Sequence, residues 1–247
     1  MKMKKNVLTL IVACLLVLAG TPRTSAESID GDCVDKESDA AGTAGATASE
    51  KVIYLAFYEG VDRGIVEELI PMLKEQLFNL PVKLVDGEMP VPEEAYEKVR
   101  DKYYAGKMLE MLAGGVPDDS LAYIAVTDKN IYVGRRPEVR GLANPGLGVA
   151  VVSTFNMEFQ ASRFRYKLRM LKEILHEAGH LFGQEHCESD KHCLMGFSQG
   201  LTDLDAKHRA FCPFHQKRIG EYLSGEGVDL EKYRLREESV PAPGEEE

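Results

Sequence analysis

The sequence predicts an α+β fold: a mixed twisted sheet, one long helix that carries the chemistry, and a mostly helical C-terminal part. Three observations predict it. Short apolar, β-branched runs such as VIYLAFY at 52–58 alternate with longer stretches of helical period. One of those stretches, 162–182, runs into HEAGHLFGQEH, residues 176–186. Beyond Met195 the readable signals are helix starts.

In chain order, Val52–Tyr58 reads as a buried strand. Val61–Leu80 has helical period through Ile65, Leu69, Met72, Leu73 and Leu77, with Pro71 expected to kink it or to start a second helix. Val82–Val85 is a second short strand, and Glu93–Leu112 a helix closed by Gly114 and Gly115. Strands are expected at Leu121–Val126, Asn130–Val133 and Leu147–Thr154. Strands alternating with two helices before the third point to a mixed sheet covered by helices on one face. Phe164, Leu168, Leu171, Leu175, Ala178 and Phe182 repeat at four and three, a stripe that packs the 162–182 helix on that sheet. Thr202-Asp203-Leu204-Asp205 resembles a capping box that opens a helix through Phe211, with a further helical turn from Cys212 to His215. Residues 51–236 therefore form the folded domain.

The ends read differently. Lys2, Lys4 and Lys5 precede an apolar stretch, Val7–Ala19, too short to span a bilayer comfortably, and Thr24-Ser25-Ala26 offers small residues for cleavage. Residues 1–26 are expected to be an export signal cleaved after Ala26, giving a periplasmic or secreted protein. Lipidation of Cys14 and an uncleaved anchor are the rival readings; the greasy Leu15–Ala19 speaks against the first. Residues 27–50, rich in Ala, Gly, Ser and Thr, are too poor in large apolar side chains to offset ordering entropy and read as a tether carrying Cys33. The acidic tail 237–247 reads likewise.

The chain has 247 residues and a net charge of −10. Cleavage would remove Lys2, Lys4, Lys5 and Arg23 and no acid, taking the charge to −14. Such a surface argues against a nucleic-acid partner, which needs a basic face to replace counterions. It also argues against stable association with anionic membranes. A monomer is expected.

The chemistry concentrates in residues 176–186. His176 and His180, four apart on a helix, place their Cβ atoms roughly 5–6 Å from one another on one face. Two imidazole nitrogens so placed reach one Zn²⁺ at about 2.0–2.1 Å each. Glu177, one step round the helix, is offset from ligation but placed to take the proton of a metal-activated water. Gly183 can end the helix in a left-handed conformation, so that the chain turns back and brings up His186 as a third ligand. Three neutral imidazoles leave one position open, the arrangement of a catalytic rather than a structural zinc. Glu173 shares the ligand face one turn earlier and reads as a supporting or solvated carboxylate.

HExxHxxGxxH is the metzincin signature, and the residues beyond it narrow the resemblance. Cys187 directly after His186, Cys193 with Met195, and Cys212-Pro213-Phe214-His215 resemble the extended motif of the archaemetzincin family over roughly residues 51–223. Two departures stand out: five residues separate Cys187 from Cys193 where the family usually has four, and His215 replaces its last cysteine. The resemblance implies a metzincin-like zincin fold whose edge strand pairs with an extended substrate. It implies two Zn²⁺ per chain, a catalytic one on the three histidines and a structural one on Cys187, Cys193, Cys212 and His215. A Cys₃His set is a normal closed zinc site. Met195 corresponds to the methionine that floors the zinc-binding imidazoles. The implied activity is that of a zinc-dependent peptidase acting on peptides or proteins, with Glu177 as general base.

Alternatives remain at this level. His192 or His208 competes with His215 as the fourth ligand. A Cys187–Cys193 disulfide is sterically possible, but leaves Cys212 unpaired unless Cys33 reaches it. A zinc-stabilised binding protein without hydrolytic activity would keep the same ligands, though it has no need of Glu177.

Overall fold

The computed structural model describes residues 50–234. The segment expected to direct export, with Cys14, residues 27–49 with Cys33, and the tail 237–247 lie outside the described residues.

The N-terminal part is a βα alternation. Strand β1 (Val52–Phe57) leads to α1 (Arg63–Gln76) and β2 (Val82–Leu84). Asp62 caps α1, its Oδ1 accepting from the backbone N–H groups of Gly64 and Ile65 at 2.9 and 3.3 Å. The helix runs unbroken through Pro71, so no second helix starts there. After a 3₁₀ turn at Glu93–Ala95 come β3 (Tyr96–Glu97), β4 (Lys102–Tyr104) and α2 (Ala105–Ala113). Strands β5 (Ser120–Thr127), β6 (Ile131–Val133), β7 (Arg136–Val139), β8 (Gly141–Asn144) and β9 (Val149–Ser153) come next. The C-terminal part is helical as expected: α3 (Arg163–Leu181), α4 (Leu201–Ala206), α5 (Pro213–Gly225) and a 3₁₀ turn at Leu230–Tyr233.

The main sheet has the order β2-β1-β5-β9-β8, parallel except for the antiparallel edge strand β8. Alternate residues of β1 show how it is covered. Ile53, Leu55 and Phe57 face a core shared with α1 and α3, while Ala56 and Tyr58 face a second core built on α2. Helices therefore cover both faces, not one. Burial on both sides explains why VIYLAF and VAVVS read as continuous apolar runs rather than alternating ones. A smaller sheet, β3-β4-β6-β7, stands beside the main one.

Three local expectations fail for identifiable reasons. The helix expected over Glu93–Leu112 survives only as α2, whose Met108, Leu109 and Leu112 are buried. Upstream, Val99 is 92% exposed, Asp101 has a φ of +53°, and Tyr103 and Tyr104 pair with β6, so strand pairing overrides the helix-forming Glu and Lys residues. Phe164 is exposed, because the first turn of α3 overhangs the core and full burial begins at Arg169. The capping box is half formed: Gly200, not Thr202, is the N-cap, while Asp203 accepts from the Gln199 N–H at 2.9 Å. The helix also stops at Ala206, where Lys207 turns extended and His208 donates its N–H to the His192 carbonyl at 2.7 Å.

From Arg169 onward α3 is buried almost all round, polar residues included. Those polar groups hold the C-terminal part in place. The Arg169 guanidinium makes a two-pronged ion pair with Asp205 (2.8 and 2.6 Å) and donates to the carbonyls of Met157 and Phe159. Lys172 donates to the carbonyls of Leu204 and Asp205, both at 2.9 Å. Together they fix α4, and the residue that ends it, against the helix that carries the histidines.

Candidate metal centre and active-site cleft

Helix α3 sets His176 and His180 side by side, their Nε2 atoms 3.2 Å apart. Two nitrogens bound to one tetrahedral zinc at about 2.0–2.1 Å stand roughly 3.3–3.4 Å apart, so the pair is spaced for a shared ion. The other ring nitrogens explain why. His176 Nδ1 donates to the Leu194 carbonyl at 2.9 Å, and His180 Nδ1 to the Gln184 carbonyl at 2.7 Å. Each bond fixes the tautomer with its lone pair on Nε2.

The third ring arrives through a helix stop. Gly183 has a φ of +72°; its N–H binds the His180 carbonyl and that of Gln184 binds the Gly179 carbonyl. That is a Schellman closure, and it both returns the chain to the helix and presents the carbonyl that orients His180. The His186 ring then lies 5.2 and 4.9 Å from those of His176 and His180, centre to centre. Ligand atoms of all three lie within 4.8 Å of one another. Burial pushes all three imidazoles below their ordinary titration range, so they are neutral and able to ligate.

Glu177 is buried beside them, and burial, with Glu173 nearby, raises its carboxyl well above the ordinary carboxylate range. Its space is made by Gly141 on the edge strand, where an added Cβ would lie 2.6 Å from the Glu177 carboxyl carbon. Gly179 makes similar room for Met195, whose Cε would lie 3.0 Å from a Cβ there. Met195 is fully buried under the histidines' helix.

A second set gathers Cys187, Cys193, Cys212 and His215, their ligand atoms again within 4.8 Å of one another. His215 Nδ1 lies 3.1 Å from the Cys212 sulfur and 3.7 Å from that of Cys193. Pro213 starts α5 directly after Cys212, so Cys212 and His215 converge across its first turn. Among the described residues all three cysteines are free thiols, so no Cys187–Cys193 disulfide forms. His192 and His208 are exposed and outside the set, their rings 6.2 Å from each other. Burial pushes the Cys193 thiol up to about 11; a divalent cation in such a set displaces the proton and holds the thiolate. The two sets share a loop. Cys187 N–H binds the Met195 carbonyl at 2.9 Å, and the Leu194 carbonyl between Cys193 and Met195 is the one that orients His176.

Over the histidines opens a cleft of about 750 Å³, walled on one side by β7 and β8. Arg140, just before β8, ties that wall to the floor. Its Nε donates to Glu173 at 3.0 Å and its Nη2 to the Ser198 carbonyl at 2.7 Å.

The family model described as Peptidase family M54 matches residues 49–220. The chain belongs to peptidase family M54. It is 35% identical to the archaemetzincin of Pyrococcus furiosus over 154 residues, 59% of this chain and 79% of the relative. The crystal structure of the archaemetzincin of Methanopyrus kandleri superposes with a TM-score of 0.64 at 29% identity, covering 72% of this chain and 98% of that one. A zinc-dependent peptidase from Methanocorpusculum labreanum gives a TM-score of 0.60 at 26% identity, covering 68% and 99%. The metzincin-like fold is thereby established, and the chain is a zinc metallopeptidase acting on peptides or proteins.

Within this M54 enzyme the structure brings His176, His180, His186 and Glu177 together in the cleft, and the three cysteines and His215 together behind it. Three cleft residues had no signal in the sequence. Arg140 and Gly141 open a short edge strand that periodicity does not reveal. Lys207 falls inside a helix expected to continue to Phe211.

Gly141→Ala drives a methyl group into the Glu177 carboxylate while leaving the ring-to-carbonyl bonds untouched. We expect peptide hydrolysis to fall by about 10²-fold, the cost of a misplacement near 1 Å. Zinc content by atomic absorption is expected to stay unchanged; loss of both together would show that Gly141 serves the metal site instead.

Proposed function

We propose that His176, His180 and His186 hold a catalytic zinc and that Glu177 carries the proton of peptide-bond hydrolysis. The observation that supports it most is the 3.2 Å approach of two Nε2 atoms whose Nδ1 partners are both backbone carbonyls. Zinc bound there supplies Lewis acidity to the scissile carbonyl and makes water a nucleophile near neutral pH. The chain's own residues do the rest. The Glu177 carboxylate takes one proton from the water whose oxygen attacks the carbonyl carbon. When the C–N bond breaks, the same carboxyl returns that proton to the departing amine. Gly141 keeps the space that this exchange needs, and Met195 fixes the floor.

We infer a second, structural zinc on Cys187, Cys193, Cys212 and His215, giving two ions per chain. Its role would be to tie the loop after His186 to α5. Because the Leu194 carbonyl lies in that loop, the structural ion supports the aim of the His176 ring. We also infer that the protein is exported, on the strength of residues 1–26, which carry four basic residues and no acidic one.

Three measurements test these readings. Glu177→Gln is expected to retain zinc and to lose about 10²–10⁴-fold in hydrolysis, the usual contribution of a general acid–base group; full activity in that variant would sink the mechanism. Cys212→Ser should reduce zinc from two ions per chain towards one, read by mass spectrometry of the native protein, and two retained ions would refute the structural set. The N-terminus of the protein isolated from its producing cell is expected at Glu27, whereas a lipid on Cys14 or an intact Met1 would contradict cleavage after Ala26.

A further inference from the structure

Lys207 is a charged side chain of the cleft with no hydrogen-bond partner among the described residues. It is only 5% exposed and lines the cleft floor. Its ammonium feels the charges of Glu173, Arg140, Glu177 and Cys193, but donates a hydrogen bond to none of them. Burial strips such an ammonium of much of its hydration, so an anionic group entering the cleft beside it is favoured. The neighbouring carboxylate of Glu173 pairs with the Arg140 Nε at 3.0 Å and forms no ion pair with Lys207. A second group in the same wall is also unsatisfied. Ser198 Oγ is buried with no hydrogen-bond partner among the described residues, although the Ser198 carbonyl is held by Arg140.

The position of these groups says what they can reach. Glu173 precedes His176 by three residues, about 4.5 Å along the helix axis. Lys207 lines the same floor as Glu173, His176, Glu177 and His180, within reach of a peptide lying in the cleft. Its backbone is fixed by the bonds of its N–H to the Asp203 and Leu204 carbonyls, and α4 by Arg169 and Lys172. The base of the Lys207 side chain is thus held in place before any substrate arrives.

We propose that Lys207 receives a carboxylate of the peptide bound in the cleft. The enzyme then selects peptides that carry an acidic side chain or a free C-terminal carboxylate there. The proposal rests on the cleft being the peptide site. Lys207 is a specificity-determining residue in this reading, and the hydrolytic step does not pass through it.

The test reads binding, so that it does not depend on turnover. Zinc-loaded Glu177→Gln protein is titrated with short neutral peptides carrying one Glu, or its Gln counterpart, at each position in turn. Each is made with a free and with an amidated C-terminus. At one position Glu should bind about tenfold or more tightly than Gln, or the free terminus than the amide, as expected for one charge-assisted hydrogen bond. The first result assigns the pocket to an acidic side chain and the second to a chain terminus. Adding Lys207→Met should abolish the preference, and Lys207→Arg should retain part of it. A merely charge-balancing lysine predicts equal binding of every pair. Equal binding by the Glu177→Gln protein overturns the proposal whether or not Lys207→Met folds, as does a preference that survives Lys207→Met. Failure of the unmodified enzyme to hydrolyse peptides would instead count against the catalytic assignment alone.

Discussion

Two hydrogen bonds from imidazole Nδ1 atoms to main-chain carbonyls are the constraint on which the active site depends. Helical spacing alone brings His176 and His180 to the same face, but leaves each ring free to turn and to change tautomer. The Leu194 and Gln184 carbonyls remove that freedom. Neither carbonyl belongs to the body of the helix. One sits in the loop between the cysteines, the other in the turn that Gly183 closes. The reactive centre is thus aimed by its own exit path, and whatever stiffens that path stiffens the centre.

The polar burial of α3 obeys the same logic. A helix that only packed on the sheet would need one apolar stripe and could leave its other face in water. Here that other face is covered by α4 and the loops around it, so Arg169 and Lys172 are buried and must be satisfied. Arg169 binds both Asp205 oxygens and two carbonyls, and Lys172 two more. Breaking such pairs one partner at a time leaves an uncompensated buried charge, which costs more than the pair contributes when intact. The arrangement therefore specifies where α4 sits and, through it, where the Lys207 backbone lies.

Electrostatics in the cleft separate into a neutral and a charged half. Three imidazoles, kept neutral by burial, make the metal end. One turn back along α3, Glu173 pairs with Arg140, and Lys207 lines the same floor.

The sequence by itself determined the spacing of the three histidines and the strand cores. HExxHxxGxxH states a ligand set through local spacing, because helix pitch and one positive-φ glycine are properties of adjacent residues. The buried runs at 52–57 and 149–153 declared themselves through composition, since a strand covered on both faces has no polar alternation to hide it. His215 rather than His192 or His208 as the partner of the cysteines, the small second sheet, the end of α4 at Ala206, and the gathering of Arg140, Gly141 and Lys207 around Glu177 were decided only in three dimensions. Each joins residues brought together by packing between elements far apart in the chain, and periodicity within a single element carries no information about which neighbour that packing will supply.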